Sequence, residues 1–95
     1  LLLHGFNDTP QSVRALAKWL HAAGWGVHAP LLPGHGRGPE VFAAEGRAEA
    51  WWAASRAAWQ AVCARYATPV LMGQSMGGAL AVTLAVERPA AAVVL

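Results

Sequence analysis

Val70-Leu71-Met72-Gly73-Gln74-Ser75-Met76-Gly77-Gly78-Ala79-Leu80 decides how the rest of the chain is read. A short apolar run, a five-residue G-x-S-x-G turn and a second apolar run follow one another without interruption. The first run has the length of a buried strand, and the second, continued to about Val86, has the length of a helix. A serine at such a strand-to-helix corner is lifted clear of the sheet, and Gly73 and Gly77 supply the clearance that a strained corner needs. Gly78 is expected to let the helix lie close on neighbouring strands. Gly and Ser occur in turns of every kind, so the weight rests on the strand before Gln74 and the helix after it. Ser75 is the candidate nucleophile.

The flanking sequence supplies the remaining elements. Leu1-Leu2-Leu3 reads as a buried parallel strand that runs into His4-Gly5-Phe6-Asn7-Asp8. Thr9 is placed as an N-cap and Pro10 at the first helical position. Val13, Leu16, Ala17 and Leu20 then recur at helical spacing, with Arg14, Lys18 and His21 opposite, which predicts an amphipathic helix lying on a sheet and ended by Gly24. Gly26-Val27-His28-Ala29-Pro30 reads as the next strand, with His28 in its middle as a hydrogen-bonded core or sheet-end residue. Residues 31–39, punctuated by Pro33, Gly34, Gly36, Gly38 and Pro39, read as a loop. A second helix is predicted over about residues 45–66, burying Trp51, Ala54, Ala58 and Val62 and turning Glu49, Arg56 and Gln60 outward. Thr68-Pro69 breaks it. The third helix, about residues 76–86, is apolar nearly all round, which predicts burial on all sides. Ala92-Val93-Val94-Leu95 reads as a final strand. Strands and helices in alternation argue an α/β fold, with four parallel strands and three helices.

Composition narrows the functional classes. The chain has 95 residues, 56% hydrophobic and 13% charged, which suits a slice of an α/β sheet covered on both faces better than a small free-standing domain. Both ends fall inside apolar runs, so residues 1–95 are expected to be the N-terminal to central part of one domain, truncated at both ends. Seven basic and five acidic residues are dispersed without blocks, which points away from nucleic acid and from an anionic membrane surface. No apolar run approaches the ~18 residues of a membrane span. Cys63, the single cysteine, offers neither a disulfide nor a thiolate cluster and reads as a small hydrophobe on a helix. The four histidines lack the helical pairing of a zinc site, and Gly34-His35-Gly36-Arg37-Gly38 fits neither phosphate-loop pattern. No metal and no cofactor are therefore expected, and nothing fixes an oligomeric state.

A serine hydroxyl needs a base to take its proton, usually a histidine oriented by a carboxylate, and it needs donors aimed at the developing oxyanion. The backbone N–H of Met76, at the start of a helix, is one such donor. The loop after Leu1–Leu3 is placed to supply the second, assigned to the backbone N–H of Phe6 with His4 and Gly5 as support. Asp8 reads as a turn or capping residue. His21 belongs to a charged helix face. Asn7 and Asp8 are expected at the mouth of the pocket and Trp52 at its rim.

These pieces together resemble one superfamily. His4-Gly5-Phe6, the Gly24–Pro30 segment, Pro33-Gly34-His35-Gly36 and Gly73-Gln74-Ser75-Met76-Gly77-Gly78 resemble, in order and spacing, the α/β-hydrolases. The similarity is greatest to small bacterial carboxylesterases and monoacylglycerol lipases, grouped with serine aminopeptidase-like hydrolases. The resemblance implies a partial α/β-hydrolase fold, its four strands being the third to sixth of an eight-stranded sheet, with the first helix beside the elbow helix. It implies a serine hydrolase acting on small-molecule carboxylic esters through an acyl-enzyme on Ser75. The acid and histidine are expected after later strands, beyond Leu95, and a lid after the sixth strand. His35 matches the loop that shapes the floor of the site and is not expected to be the base. Relatives with the same elbow include thioesterases and carbon–carbon bond hydrolases, and a non-catalytic binding protein on this fold is the alternative of a different class.

Overall fold

The computed structural model describes residues 1–95. Three parallel strands, β1 (Leu2–Leu3), β2 (Val70–Gly73) and β3 (Ala92–Val94), form one sheet in the order β1-β2-β3. Leu2 stands opposite Met72 and Leu3 opposite Gly73, while Val70, Leu71 and Met72 pair with Ala92, Val93 and Val94. Four α-helices accompany it: α1 (Arg14–Ala22), α2 (Pro39–Glu45), α3 (Ala48–Arg65) and α4 (Met76–Glu87). Strands this short hold because β2 is paired on both edges, and the ladder to β1 extends past Gly73 through Gln74 N–H to Leu3 O (3.1 Å).

Alternation along the strands divides the interior. Leu1, Leu3 and Leu71 turn to one face and join Leu32, Ala58, Trp59, Val62, Ala81 and Leu84 in a single core under α3 and α4. Trp59 closes one end of that core by donating its indole N–H to Arg88 O (3.1 Å). Leu2, Val70 and Met72 turn to the other face, where the α1 residues Trp19 and Leu20 line a groove with them. The first helix therefore lies across the sheet from the elbow helix, and α3 is the helix that packs beside α4. The expectation of α1 beside the elbow helix is corrected: its apolar stripe is filled by the side chains that alternate away from α4.

Thr9 caps the entry to α1 as expected, accepting from Gln11 N–H (3.3 Å), with Pro10 opening a 3₁₀ turn (Pro10–Val13) that leads into the helix. Gly24 ends it with φ at +96°, donating its N–H to His21 O (3.0 Å). The predicted strand over residues 26–30 is not one. It makes a single backbone bond to the sheet, Leu2 N–H to His28 O (2.8 Å), and Pro30 has no N–H to extend a ladder. His28 is correspondingly exposed. The helix count rises from three to four because α2 occupies seven residues opened by Pro39 and Glu40. Fewer than two turns leave no room for an apolar repeat, although Pro at the first turn and an acidic residue beside it are start signals.

The third predicted helix is α4, but only Gly77, Gly78, Ala81 and Leu84 are buried along it, while Val82 and Val86 are exposed. Its all-apolar composition exceeds what one sheet face and α3 cover. Cys63 is half-buried against the core from α3. No helix is long and apolar enough to cross a membrane.

Candidate active site

The corner at Ser75 is built from clearance and strain. Ser75 takes φ 55° and ψ −120° as the residue preceding α4, a conformation that L side chains rarely adopt. A Cβ on Gly73 would run into the Gly77 carbonyl, and one on Gly77 into the Leu3 carbonyl oxygen and to within 2.6 Å of His4 O. Both glycines are thus required by close backbone approach, as the sequence predicts. Gly78 is the smaller constraint, since a Cβ there would lie 3.3 Å from Gly73 O and 3.6 Å from a Leu95 methyl. The residue that lets α4 close on the neighbouring strand is Gly77, because the first turn of α4 presses on the end of β1.

That same contact carries the His4-Gly5-Phe6 loop to the serine. A Cβ on Gly5 would stand 3.5 Å from Ser75 Cβ and 4.0 Å from Ser75 Oγ. The first turn of α4 is satisfied by Gly77 N–H to Gln74 O (2.9 Å), Gly78 N–H to Ser75 O (2.8 Å) and Ala79 N–H to Ser75 O (3.1 Å). The Met76 N–H is left without an acceptor in the chain, and so is the Phe6 N–H. Ser75 is exposed and its hydroxyl makes no capping bond. The two amides without an acceptor and the unbonded hydroxyl lie on the two backbone segments that touch here, at the N-terminal, positive end of α4.

His4 fastens this loop. Its ring is buried, with Nδ1 2.9 Å from Gly5 O and Nε2 accepting from Leu32 N–H (3.0 Å). An acceptor role for Nε2 puts the hydrogen on Nδ1, so the ring is neutral and spans from the loop to residue 32. Burial pushes its pKa below the ordinary histidine value, the Gly5 carbonyl bond pulls it back, and neighbouring His35 lowers it further. Asp8 is held below the usual carboxylate range by the Ser12 hydroxyl and by the Thr9 and Gly5 amides; Thr9 N–H donates to it at 2.7 Å. That is the turn-and-cap role predicted for it.

His35 stacks edge-on against His4, with ring centroids 4.9 Å apart, and it is buried. Its Nδ1 lies 3.2 Å from Pro33 O, and its Nε2 has no partner. Around it stand Phe42 (5.2 Å), Trp51 (5.5 Å) and Phe6 (6.4 Å). The sequence places Trp52 at the rim and Trp51 in the core. Both rings pack partly buried against the core, Trp52 included, and it is Trp51 that also joins the ring cluster and donates its indole N–H to Pro33 O (2.9 Å). Phe42 is the residue that sequence reasoning missed, because α2 was missed with it. Asn7 and Asp8 line the cleft that opens at Phe6, as expected.

The whole chain, residues 1–95, matches the family described as serine aminopeptidase, S33. A carboxylesterase of Bacillus subtilis (strain 168) is 33% identical over 90 residues, covering 94% of this chain and 36% of that protein. A thermostable monoacylglycerol lipase of Bacillus sp. (strain H-257) is 37% identical over 89 residues, covering 94% of this chain and 35% of that protein. A solved structure from work on LipS and LipT, two metagenome-derived lipolytic enzymes, superposes with a TM-score of 0.86 at 41% identity, over 93% of this chain and 36% of that one. The chain thus spans about a third of the length of these relatives. Parallel strands, a serine corner at positive φ and a family match from the first residue to the last agree with one another: the chain belongs to the serine aminopeptidase S33 family of α/β-hydrolases.

Proposed function

We propose that residues 1–95 form the N-terminal to central part of a single α/β-hydrolase domain and carry the nucleophile and oxyanion donors of a serine hydrolase acting on carboxylic esters. The observation that carries this reading is the exposed Ser75, held at φ 55° beside the two free amides of Phe6 and Met76. The relatives named as carboxylesterase and monoacylglycerol lipase support the ester as substrate class.

Ser75 Oγ attacks the ester carbonyl while a histidine, oriented by a carboxylate, takes the hydroxyl proton. The carbonyl oxygen gains negative charge within reach of the Phe6 and Met76 N–H groups, each such donor contributing on the order of 10²–10³ in rate. Collapse breaks the bond to the alkoxide, which leaves as the alcohol after receiving that proton, and the acyl group remains on Ser75. Water, deprotonated by the same histidine, then attacks the acyl-enzyme, and Ser75 recovers its proton as the acid departs. The histidine and acid are assigned to residues beyond Leu95. Gly5, Gly73, Gln74, Gly77, Gly78 and His4 hold the backbone geometry on which both donors depend.

In the protein that carries this chain, Ser75→Ala is expected to reduce hydrolysis of p-nitrophenyl butyrate by about 10³-fold or more. Turnover near the wild-type rate in that variant would overturn the assignment. The 95-residue chain on its own is expected to react sluggishly with a fluorophosphonate, since Ser75 there has no general base. Rapid stoichiometric labelling of the isolated chain would show that a base is already present within residues 1–95.

A further inference from the structure

A cleft of about 470 Å³ opens beside the oxyanion loop, with Phe6, Asn7, Asp8, His35, Pro39 and Phe42 among its walls. Its volume is that of a small-molecule site. It begins at Phe6, the residue whose N–H is the candidate oxyanion donor, and Phe6 follows Gly5, which lies against Ser75. The two large apolar side chains in its lining are both phenyl rings, those of Phe6 and Phe42. Phe42 meets Phe6 edge-to-face at 5.3 Å and 89°, and meets His35 at 5.2 Å and 89°. Phe6 is 58% exposed, so its face is not consumed by the protein's own packing.

The wall is also fixed from behind. Trp51 stands 6.2 Å from Phe42 and 5.9 Å from Phe6, and its indole is tied to Pro33 O. A ring cluster that is already ordered, edge-to-face between Phe42 and Phe6 and tilted between Phe42 and Trp51, accepts one more ring in an offset or T-shaped position without rearranging. A saturated chain of equal size gains only the buried area. Asn7, Asp8 and Thr9 are its polar lining, which leaves the aromatic rings as the part that discriminates between apolar groups.

We propose that Phe42 determines specificity in this cleft, favouring esters in which one arm ends in an aromatic ring. The inference rests on the Ser75 reading for its chemistry and on the ring cluster for its geometry. It is tested in the protein that carries this chain with two matched pairs of esters. Benzyl butyrate is compared with cyclohexylmethyl butyrate, and butyl phenylacetate with butyl cyclohexylacetate, so that either arm is examined at similar size and leaving-group basicity.

In one of the two pairs the wild type is expected to favour the aromatic member in kcat/KM by about 2- to 10-fold. Phe42→Leu is expected to bring that ratio close to one, and Phe42→Tyr to retain it. A ratio near one in both wild-type pairs, or one that survives Phe42→Leu, overturns the proposal. A second measurement needs no turnover: phenylacetone, an uncleavable ketone, is titrated while the Trp51 indole N–H is followed by NMR, with cyclohexylacetone as the control. A shift with phenylacetone that is lost in Phe42→Leu upholds the cleft even if no ester is hydrolysed, in which case the Ser75 reading alone fails. Equal response to both ketones, or none to either, removes the cleft inference and leaves the Ser75 reading intact.

Discussion

Ser75 is held in a backbone conformation that costs on the order of 1–3 kcal/mol for a residue with a Cβ. Ala keeps the Cβ and hence the strain, whereas Gly relieves it at the expense of a more flexible unfolded chain. Ser75→Gly is therefore expected to be about 1 kcal/mol more stable than Ser75→Ala in urea unfolding, with both inactive. Equal stabilities would mean that the corner is unstrained. His4 makes a second prediction at this scale. Its folded pKa lies below the ordinary 6.5, so the unfolded chain binds the proton first as the medium is acidified. Stability is expected to be fully present above pH 6.5 and to decline as pH falls from 6.5 toward the folded pKa, because an added Nε2 proton abolishes the bond from Leu32 N–H. Asp8, with a depressed carboxyl pKa, adds a further loss below its ordinary 3.8. Thermal melts across pH 7 to 5 check the first limb, and His4→Gln should flatten it. An unchanged slope in that variant would assign the limb to another group.

At the scale of elements, legibility followed length and repeat. The stripe on α1 and the eighteen-residue α3 were readable from apolar spacing, and the elbow from its glycines, each of which answers to a backbone contact. The seven-residue α2 had only a Pro-Glu start to announce it, and with it went Phe42. The segment at residues 26–30 has the composition of a strand yet only one backbone bond to the sheet, a difference that composition does not carry. The inward turn of Trp51 toward His35 was equally invisible, since helical periodicity gives a face but not the loop that the face will meet. Two substitutions test how these elements fit. Gly77→Ala is expected to destabilise by several kcal/mol or prevent folding, because its Cβ would meet the carbonyls of Leu3 and His4, which are fixed backbone. Ser55 on α3 is buried with its hydroxyl unpartnered. Ser55→Ala removes that unsatisfied group and should stabilise by about 1 kcal/mol, a rise in Tm of roughly 4–8 °C for a chain of this size. A lower Tm for Ser55→Ala would mean that the hydroxyl has a partner after all.

Taken alone, residues 1–95 leave much of their apolar surface in water. Trp19 is 68% exposed and Val86 82%, and Leu16, Trp25, Val82, Val93, Val94 and Leu95 are exposed as well. Two apolar grooves of about 300 and 270 Å³ flank α1 on the sheet face away from α4. The third strand pairs only with β2, so its outer edge presents unpaired backbone groups beside Val94 and Leu95. Contiguous apolar patches and an open strand edge are both routes to association. The high hydrophobic fraction already implies this surplus, while which faces carry it depends on the alternation of Leu1, Leu2 and Leu3 across the sheet. The 95-residue chain is accordingly expected to bind 1-anilinonaphthalene-8-sulfonate in its folded state and to sediment as larger species as its concentration rises. Val94→Lys places a charge on the open strand where the side chain is 46% exposed, so it should lower the association while changing stability by less than about 0.5 kcal/mol. Sedimentation velocity on both proteins at several concentrations decides the matter. A wild-type chain that stays monomeric throughout would overturn the predicted association, whereas a Val94→Lys variant that associates equally well would remove the β3 edge from the explanation and leave the α1 grooves as the surface to examine by Trp19→Lys.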